Sequence, residues 1–367
     1  MSTAVLALNA GSSTVKFAAY ALEGMRLRPE PLIRETLRAS AQPLDVAWPR
    51  ISDALAGRRV IGVGHRIVHG GTNFTAPVAI SEAVERHLAA LIPLAPLHQP
   101  YGLALIGPLG RLAPDATQVA CFDTAFHRTM PELAKMFALP PDLTDSGVRP
   151  YGFHGLSYEY IAGRLPQLAG GQPLGRVIVA HLGNGSSLCA LRDLKSVATT
   201  MTFTPLDGLP MATRSGSIDP SVLLYLLTAR GMSTGDLEEL LNHRSGLLGV
   251  SGVSGDVKEL MASAEPRAAL ALALLVYRVG REIGSLAAAL GGLDALVFTG
   301  GIGEHAATLR QRMCDDAAWA GVAIDRARNE GQEPRVSAEG SKVSVWVIPT
   351  DEEAVIARHT VAVIAAR

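Results

Sequence analysis

With 367 residues, 48% of them hydrophobic and 18% charged, this chain has the composition of an ordinary soluble globular protein and is long enough for two domains. A formal net charge of -1 excludes a protein that works by covering nucleic-acid phosphates, which needs a clustered excess of Lys and Arg. Cys121, Cys189 and Cys314 form no CxxC pair, and no apolar run approaches the roughly 20 residues of a membrane span or follows a basic leader, so buried thiols in a cytoplasmic protein are expected.

The first predicted element is a short apolar strand at residues 5–8, which runs into Asn9-Ala-Gly-Ser-Ser13 and a second strand carrying Lys16. Residues 26–50 are rich in Pro and Arg, have the least regular pattern, and read as a loosely packed surface insert. Strands follow at 60–63 and 119–122, with a helix at 81–91 between them and Asp123 ending the second strand. Gly147-Val-Arg-Pro150 reads as a crossing between domains. Beyond it come a helix at 158–165, a strand at 177–180 and helices at 220–229 and 265–290. The last is small and apolar nearly all round, which predicts a buried helix. Strands at 296–299 and 343–348 complete an α/β pattern.

One repeat stands out. Val5-Leu-Ala-Leu-Asn-Ala-Gly-Ser-Ser13 and Val177-Ile-Val-Ala-His-Leu-Gly-Asn-Gly-Ser-Ser187 both read as strand, Gly-Ser-Ser turn, strand, about one domain apart. Such turns suit phosphate, because glycine lets the backbone approach closely and successive N–H groups form an anion-binding nest. A Walker A loop is absent, and Gly301-Ile-Gly-Glu-His-Ala306 lacks the early βαβ unit of a dinucleotide site.

Ten segments stand in order along the chain, among them Gly64-His-Arg-Ile-Val-His-Gly-Gly71, Phe122-Asp-Thr-Ala-Phe-His127, Tyr151-Gly-Phe-His-Gly155, Thr213-Arg-Ser-Gly-Ser-Ile-Asp-Pro220, Phe298-Thr-Gly-Gly-Ile-Gly-Glu304 and Ile348-Pro-Thr-Asp-Glu-Glu353. Together they resemble the acetate kinases, of the actin, sugar kinase and Hsp70-like ATPase superfamily. The resemblance implies two similar actin-like (ribonuclease H-like) α/β domains with a cleft between them. The first would span 1–149 with 352–367 returning to it, and the second, nucleotide-binding domain 150–351. It implies reversible transfer of the ATP γ-phosphoryl group to acetate by a homodimer. Asp123, His154 and Arg214 would be the catalytic residues, and Arg66, Val68, Leu97, Phe153 and Pro205 would hold the acid.

Nucleotide contacts implied by the same resemblance are Ser12, Lys16, His181, Leu182, Gly183, Asn184, Gly185, Asp256, Val257, Lys258, Gly301, Ile302, Gly303, Glu304 and His305. Asn9 and Glu352 would hold Mg²⁺, with Mn²⁺ as a substitute. The chemistry is coherent on its own terms. A carboxylate is already ionised at neutral pH, so catalysis rests on holding two anions in line and neutralising the transferring group. Arg66 suits a carboxylate because a guanidinium grips it with two bonds. His65, His69, His98 and His127 read mostly as hydrogen-bonded scaffolding, and Asp123 as a carboxylate ordering the ion, its waters or a neighbouring Arg rather than as a base. Asp256-Val-Lys258 and His305 depart from the family's usual Asp-Phe-Arg and Asn, which weakens the expected planar partner for adenine. Two alternatives remain at this level: propionate or another phosphoryl donor, and an actin-like ATPase without acid-kinase activity.

Overall fold

The computed structural model describes residues 2–11, 14–38, 43–171 and 174–367, so Ser12 and Ser13 lie outside the described residues. The chain divides into two compact units. The first comprises Met1–Arg128, Phe153–Tyr160 and Asp351–Arg367, and the second Thr129–Gly152 and Ile161–Thr350. Gly147–Pro150 thus falls within the second unit.

Among the described residues, the sheet of the first unit has seven strands: β1 (Thr3–Ala10), β2 (Thr14–Glu23), β3 (Arg26–Leu27), β4 (Ile33–Arg38), β5 (Arg59–Ile67), β6 (Val78–Ala79) and β7 (Thr117–Phe122). Their order is β3-β2-β1-β5-β7-β6, with β4 also paired to β2. β1, nearly all apolar, is buried on both faces and runs parallel to β5, which runs parallel to β7. The described parts of the stretch expected to be a loose insert, residues 26–38 and 43–50, are largely structured. β4 alternates half-buried Ile33, Glu35 and Leu37 with exposed residues, and the Pro43–Leu55 helix buries Leu44, Ala47, Ile51 and Leu55. The period-2 alternation there is real, but its Arg and Glu content hid it.

The closing Glu352–Ala365 helix lies on β1 and β5. Glycine permits the approach: a Cβ at Gly64 would stand 2.2 Å from Thr360 Oγ1 and 2.5 Å from Ile356 Cγ2.

In the second unit the strands are β8 (Arg176–Leu182), β9 (Ser186–Arg192), β10 (Lys195–Thr199), β11 (Ala295–Thr299) and β12 (Ser344–Val347), ordered β10-β9-β8-β11-β12. An antiparallel hairpin (β8, β9) followed outward by parallel strands (β11, β12) repeats the β1, β2, β5, β7 arrangement of the first unit. The repeat seen in the two turns therefore extends to the sheets. The Pro266–Leu290 helix packs Ala271, Leu275, Val279, Ile283, Leu286 and Leu290 into the core. It is buried on one face only, since Leu270 and Tyr277 are 59% and 58% exposed, which corrects the expectation of burial all round. All three cysteines are buried as thiols. No helix among the described residues is long and apolar enough to cross a membrane.

Candidate active site

In the first unit, the carboxyl ends of three neighbouring strands deliver Asn9 (β1), Arg66 (β5) and Asp123 (after β7) to one place, as open α/β sheets commonly do. Arg66 grips Asp123 with both faces of its fork, Nε at 3.1 and 3.2 Å from the two oxygens and Nη2 at 2.6 Å from Oδ2. Its Nη1 donates to Asn9 Oδ1 at 3.1 Å, and Asn9 Nδ2 donates to Glu352 Oε2 at 2.6 Å and Glu353 Oε1 at 2.9 Å. The Asp123 side chain is 2% exposed and that of Arg66 14%.

Three carboxylates and one guanidinium are thus buried together. Burial alone would lower the Arg66 pKa, but Asp123, Glu352 and Glu353 outweigh it and hold the guanidinium firmly charged. Burial pushes the Asp123 carboxyl up, against the pull of Arg66. Glu353 is likewise raised, by burial and then by Glu352, with Lys16 and Asn9 opposing.

His154 sits beside this cluster in the left-handed region, φ 57°, and its main chain hydrogen-bonds to the Asp123 carboxylate. The next residue has no alternative to glycine, because a Cβ at Gly155 would fall 1.9 Å from the Asp123 carbonyl oxygen. His127 Nε2 donates to the Phe153 carbonyl at 2.9 Å, and His69 meets the Phe153 ring edge-on at 5.6 Å. Both histidines, with His65, have pKa values lowered by burial to about 4 and are neutral. They match the scaffolding reading. Val68 and Phe153 are buried and Leu97 half-buried in this unit.

In the second unit the β8–β9 turn closes with Ser186 Oγ accepting from Gly183 N at 3.2 Å. Two other segments meet it, and a third packs on one of these. Gly300, at φ 77°, rests its α-carbon against the Leu182 backbone, where a Cβ would lie 2.7 Å from the carbonyl oxygen. The Ala212 amide donates to Asn184 O at 3.3 Å, and Gly255 lies against Ala212, a Cβ there reaching 2.6 Å from its carbonyl. So His181–Gly185, Gly301–His305, the loop bearing Arg214 and the turn before Asp256 converge, although they are scattered through the sequence.

Individual side chains there also have local structural partners. Val257 is in the hydrophobic core, Lys258 is exposed, and Asp256 Oδ1 caps the Val257–Ala262 helix through Lys258 N at 2.7 Å. Glu304 Oε1 accepts from Gly300 N at 2.8 Å and closes its own turn. Arg214 Nη1 donates to the carbonyl of buried Pro205 at 2.8 Å.

Two residues escaped the sequence. Glu353 stands beside Glu352 and shares its Asn9 partner. Arg310, 1% exposed, donates to the carbonyls of Gly303 (2.9 Å), Glu304 (2.8 Å) and Asn329 (2.9 Å), bracing the end of the Gly300–His305 helix. Glu353 had a signal, its place in the Thr350-Asp-Glu-Glu353 segment; Arg310 had none.

No group of three or more His, Cys, Asp or Glu side chains arranged to hold a metal ion occurs among the described residues. What Asn9 and Glu352 offer is a pair of hard oxygen-bearing groups in a spot crowded with carboxylates, which suits a cation completed by water and phosphate.

The sequence matches the Acetokinase family over residues 49–358. The chain belongs to this family. Among other acetokinases, it is 50% identical to an acetate kinase of Rhodopseudomonas palustris strain TIE-1 over 98% of both chains, and 45% identical to one from Rhizobium meliloti over 99% of both. The crystal structure of Porphyromonas gingivalis acetate kinase superimposes with a TM-score of 0.84 at 37% identity, covering 99% of this chain and 100% of that one. A propionate kinase from Francisella tularensis gives 0.86 at 37% identity, covering 98% and 99%. These likenesses establish the two-domain, actin-like α/β fold of the acetokinases for this chain.

Proposed function

We propose that this acetokinase is an acetate kinase, transferring the γ-phosphoryl group of ATP directly and reversibly to acetate to give acetyl phosphate and ADP. The observation that carries the reading is Arg66, a slightly exposed guanidinium locked in orientation by Asp123, with buried, apolar Val68 two residues along the chain. A small carboxylate with a methyl tail fits those neighbours.

In this reaction an acetate oxygen forms a bond to the γ-phosphorus while the bond from that phosphorus to the bridging oxygen of ADP breaks. The acetate is already ionised, so no base is required, and Asp123 serves to fix Arg66. Arg66 orients the acid. Arg214, whose Nη1 donates to the Pro205 carbonyl, is the cation assigned to stabilise the phosphoryl oxygens. The His154 imidazole donates to an equatorial oxygen of the same group. Main-chain groups of His181–Gly185 and Gly301–His305 hold the nucleotide, with Lys16 assisting at the phosphates. Asn9 and Glu352, with Glu353 beside them, are the residues to hold Mg²⁺ or Mn²⁺, which when bound neutralises phosphate charge.

We also infer a cytoplasmic homodimer without nucleic-acid or membrane partners. The Pro220–Thr228 helix buries none of its residues and exposes Leu224 by 62% and Tyr225 by 54%, an apolar face suited to a second copy. A monomer in sedimentation would overturn that part.

The test is an assay trapping acyl phosphate as the hydroxamate, with acetate, propionate and butyrate against ATP, GTP and pyrophosphate. Acetate with ATP should give the highest kcat/KM, and no product from any pair would sink the proposal. A propionate preference is the second reading, supported by the Francisella likeness, since one methylene changes discrimination by only about 1–3 kcal/mol.

A further inference from the structure

Arg34 belongs to β4, more than 300 residues before the Glu352–Ala365 helix. Its Nη2 donates to Tyr20 Oη at 3.1 Å and to Asp351 Oδ2 at 2.5 Å. Asp351 is the residue at which the chain returns to the first unit, and its other oxygen, Oδ1, accepts from Ala354 N at 2.9 Å as the cap of the Glu352–Ala365 helix. Both oxygens of Asp351 are therefore occupied. Glu352 and Glu353, the next two residues, reach Asn9. We propose that Arg34 is a positioning residue for the Glu352–Glu353 pair, acting through Asp351 to set the first helical turn and so the affinity of the site for a divalent cation. The inference rests on the metal role given above to Asn9 and Glu352.

The physical case starts from charge. Asp351, Glu352 and Glu353 are three successive carboxylates at a helix N-terminus. The helix dipole favours them there but does not cancel their mutual repulsion. Arg34 neutralises the outermost one, and does so from a strand of the sheet, so the helix start is tied to the β2–β4 pair rather than to solvent. Tyr20 fixes the guanidinium in turn. It is fully buried, and burial followed by Asp351 pushes its phenol up to about 12, so it remains a neutral hydroxyl. Carboxylates at metal sites depend on partners of this kind for their orientation.

A plain surface salt bridge would have the same geometry but different consequences. With the Arg34 side chain 41% exposed and that of Asp351 19%, the pair contributes little to global stability. What should change on breaking it is the placement of Glu352 and Glu353, and hence cation binding, far more than melting temperature or acid binding.

The measurement is Mn²⁺ affinity in the presence of ADP, read from water-proton relaxation, beside the KM for acetate at saturating metal. Arg34→Met and Asp351→Asn should each weaken Mn²⁺ binding by about tenfold, with the double variant no weaker than either alone. The acetate KM should stay within about twofold of wild type, and Arg34→Lys should recover part of the lost affinity. Asp351→Asn keeps the helix cap, since Asn caps as well as Asp, so it decides the matter if Arg34→Met fails to fold. Mn²⁺ affinities near wild type in the folded single variants would overturn the role of Arg34 while leaving the metal site standing. A wild-type protein that binds no Mn²⁺ with ADP would overturn the metal site itself, and the inference with it.

Discussion

Arg66 Nη2 lies 2.6 Å from Asp123 Oδ2, and its Nε bridges both oxygens of the same carboxylate. The pair lies almost wholly out of water, where breaking it from one side costs far more than the pair contributes as a unit.

Arg66→Ala should lower kcat/KM at least about 100-fold, the scale of one lost charge-stabilising group. It should also destabilise the protein by about 3–5 kcal/mol, because Asp123 is left buried without its cation. Adding Asp123→Asn should return much of the melting temperature and none of the activity. Arg66→Lys should stay well below wild type, since an ammonium cannot reproduce the forked grip. Equal melting temperatures for the single and double variants would show that the pair is not coupled.

Gly155→Ala addresses His154. The added methyl meets the Asp123 carbonyl at 1.9 Å, so the backbone must shift and carry the imidazole with it. A displacement on the order of 1 Å is enough for a loss of about 100-fold in kcat. Gly163→Ala, in the same helix but with no atom within 4 Å of the new Cβ, is the control and should be neutral or slightly stabilising. Full activity in Gly155→Ala would separate His154 geometry from turnover.

Arg214→Ala should reduce kcat about 100-fold or more and change the KM values much less, as expected for a donor used chiefly in the transition state. Steady-state kinetics with both substrates varied decides it. Near-wild-type turnover would remove Arg214 from the chemistry.

Stability should fall in mild acid. His65, His69 and His127 are held neutral by burial, with folded pKa values of about 4 against 6.5 for the free side chain. Their contribution is complete above pH 6.5 and is lost as pH drops from there towards 4, because the unfolded chain takes up protons that the native one refuses. At its steepest each histidine adds about 1.4 kcal/mol per pH unit. Denaturant melts at pH 7.5, 6 and 5 test this, and His65→Asn should flatten the curve by about one such share. An unchanged slope would show that His65 does not titrate in this range.

How far the sequence foresaw this depends on the range of the interaction. The two turns were legible because glycine, serine and flanking apolar runs are local signals, and each sheet followed from its turn. Arg66 and Asp123 were legible as motif residues, but their grip on one another required the parallel β5–β7 pairing. Arg310 was invisible: an Arg in a helix ordinarily faces water, and its burial depends on Asn329 and the Gly303 and Glu304 carbonyls. Arg34 was obscured by its surroundings, since nothing local links β4 to Asp351 across more than 300 positions. Val257 and Asp256 carry structural roles that their motif did not announce, one a core side chain and the other a helix cap.

The glycine surface of β5 waits, during synthesis, for a partner made much later in the chain. β1 is translated long before the helix that covers it and supplies Glu352 and Glu353, which follows nearly the whole of the second unit. Until then Gly64 has no Thr360 against it, and Arg66 and Asp123 lack the carboxylates that complete their cluster. A ribosome that stops before residue 351 releases a chain that can build the second sheet but holds an unfinished first one, with an apolar face open to chaperones and proteases.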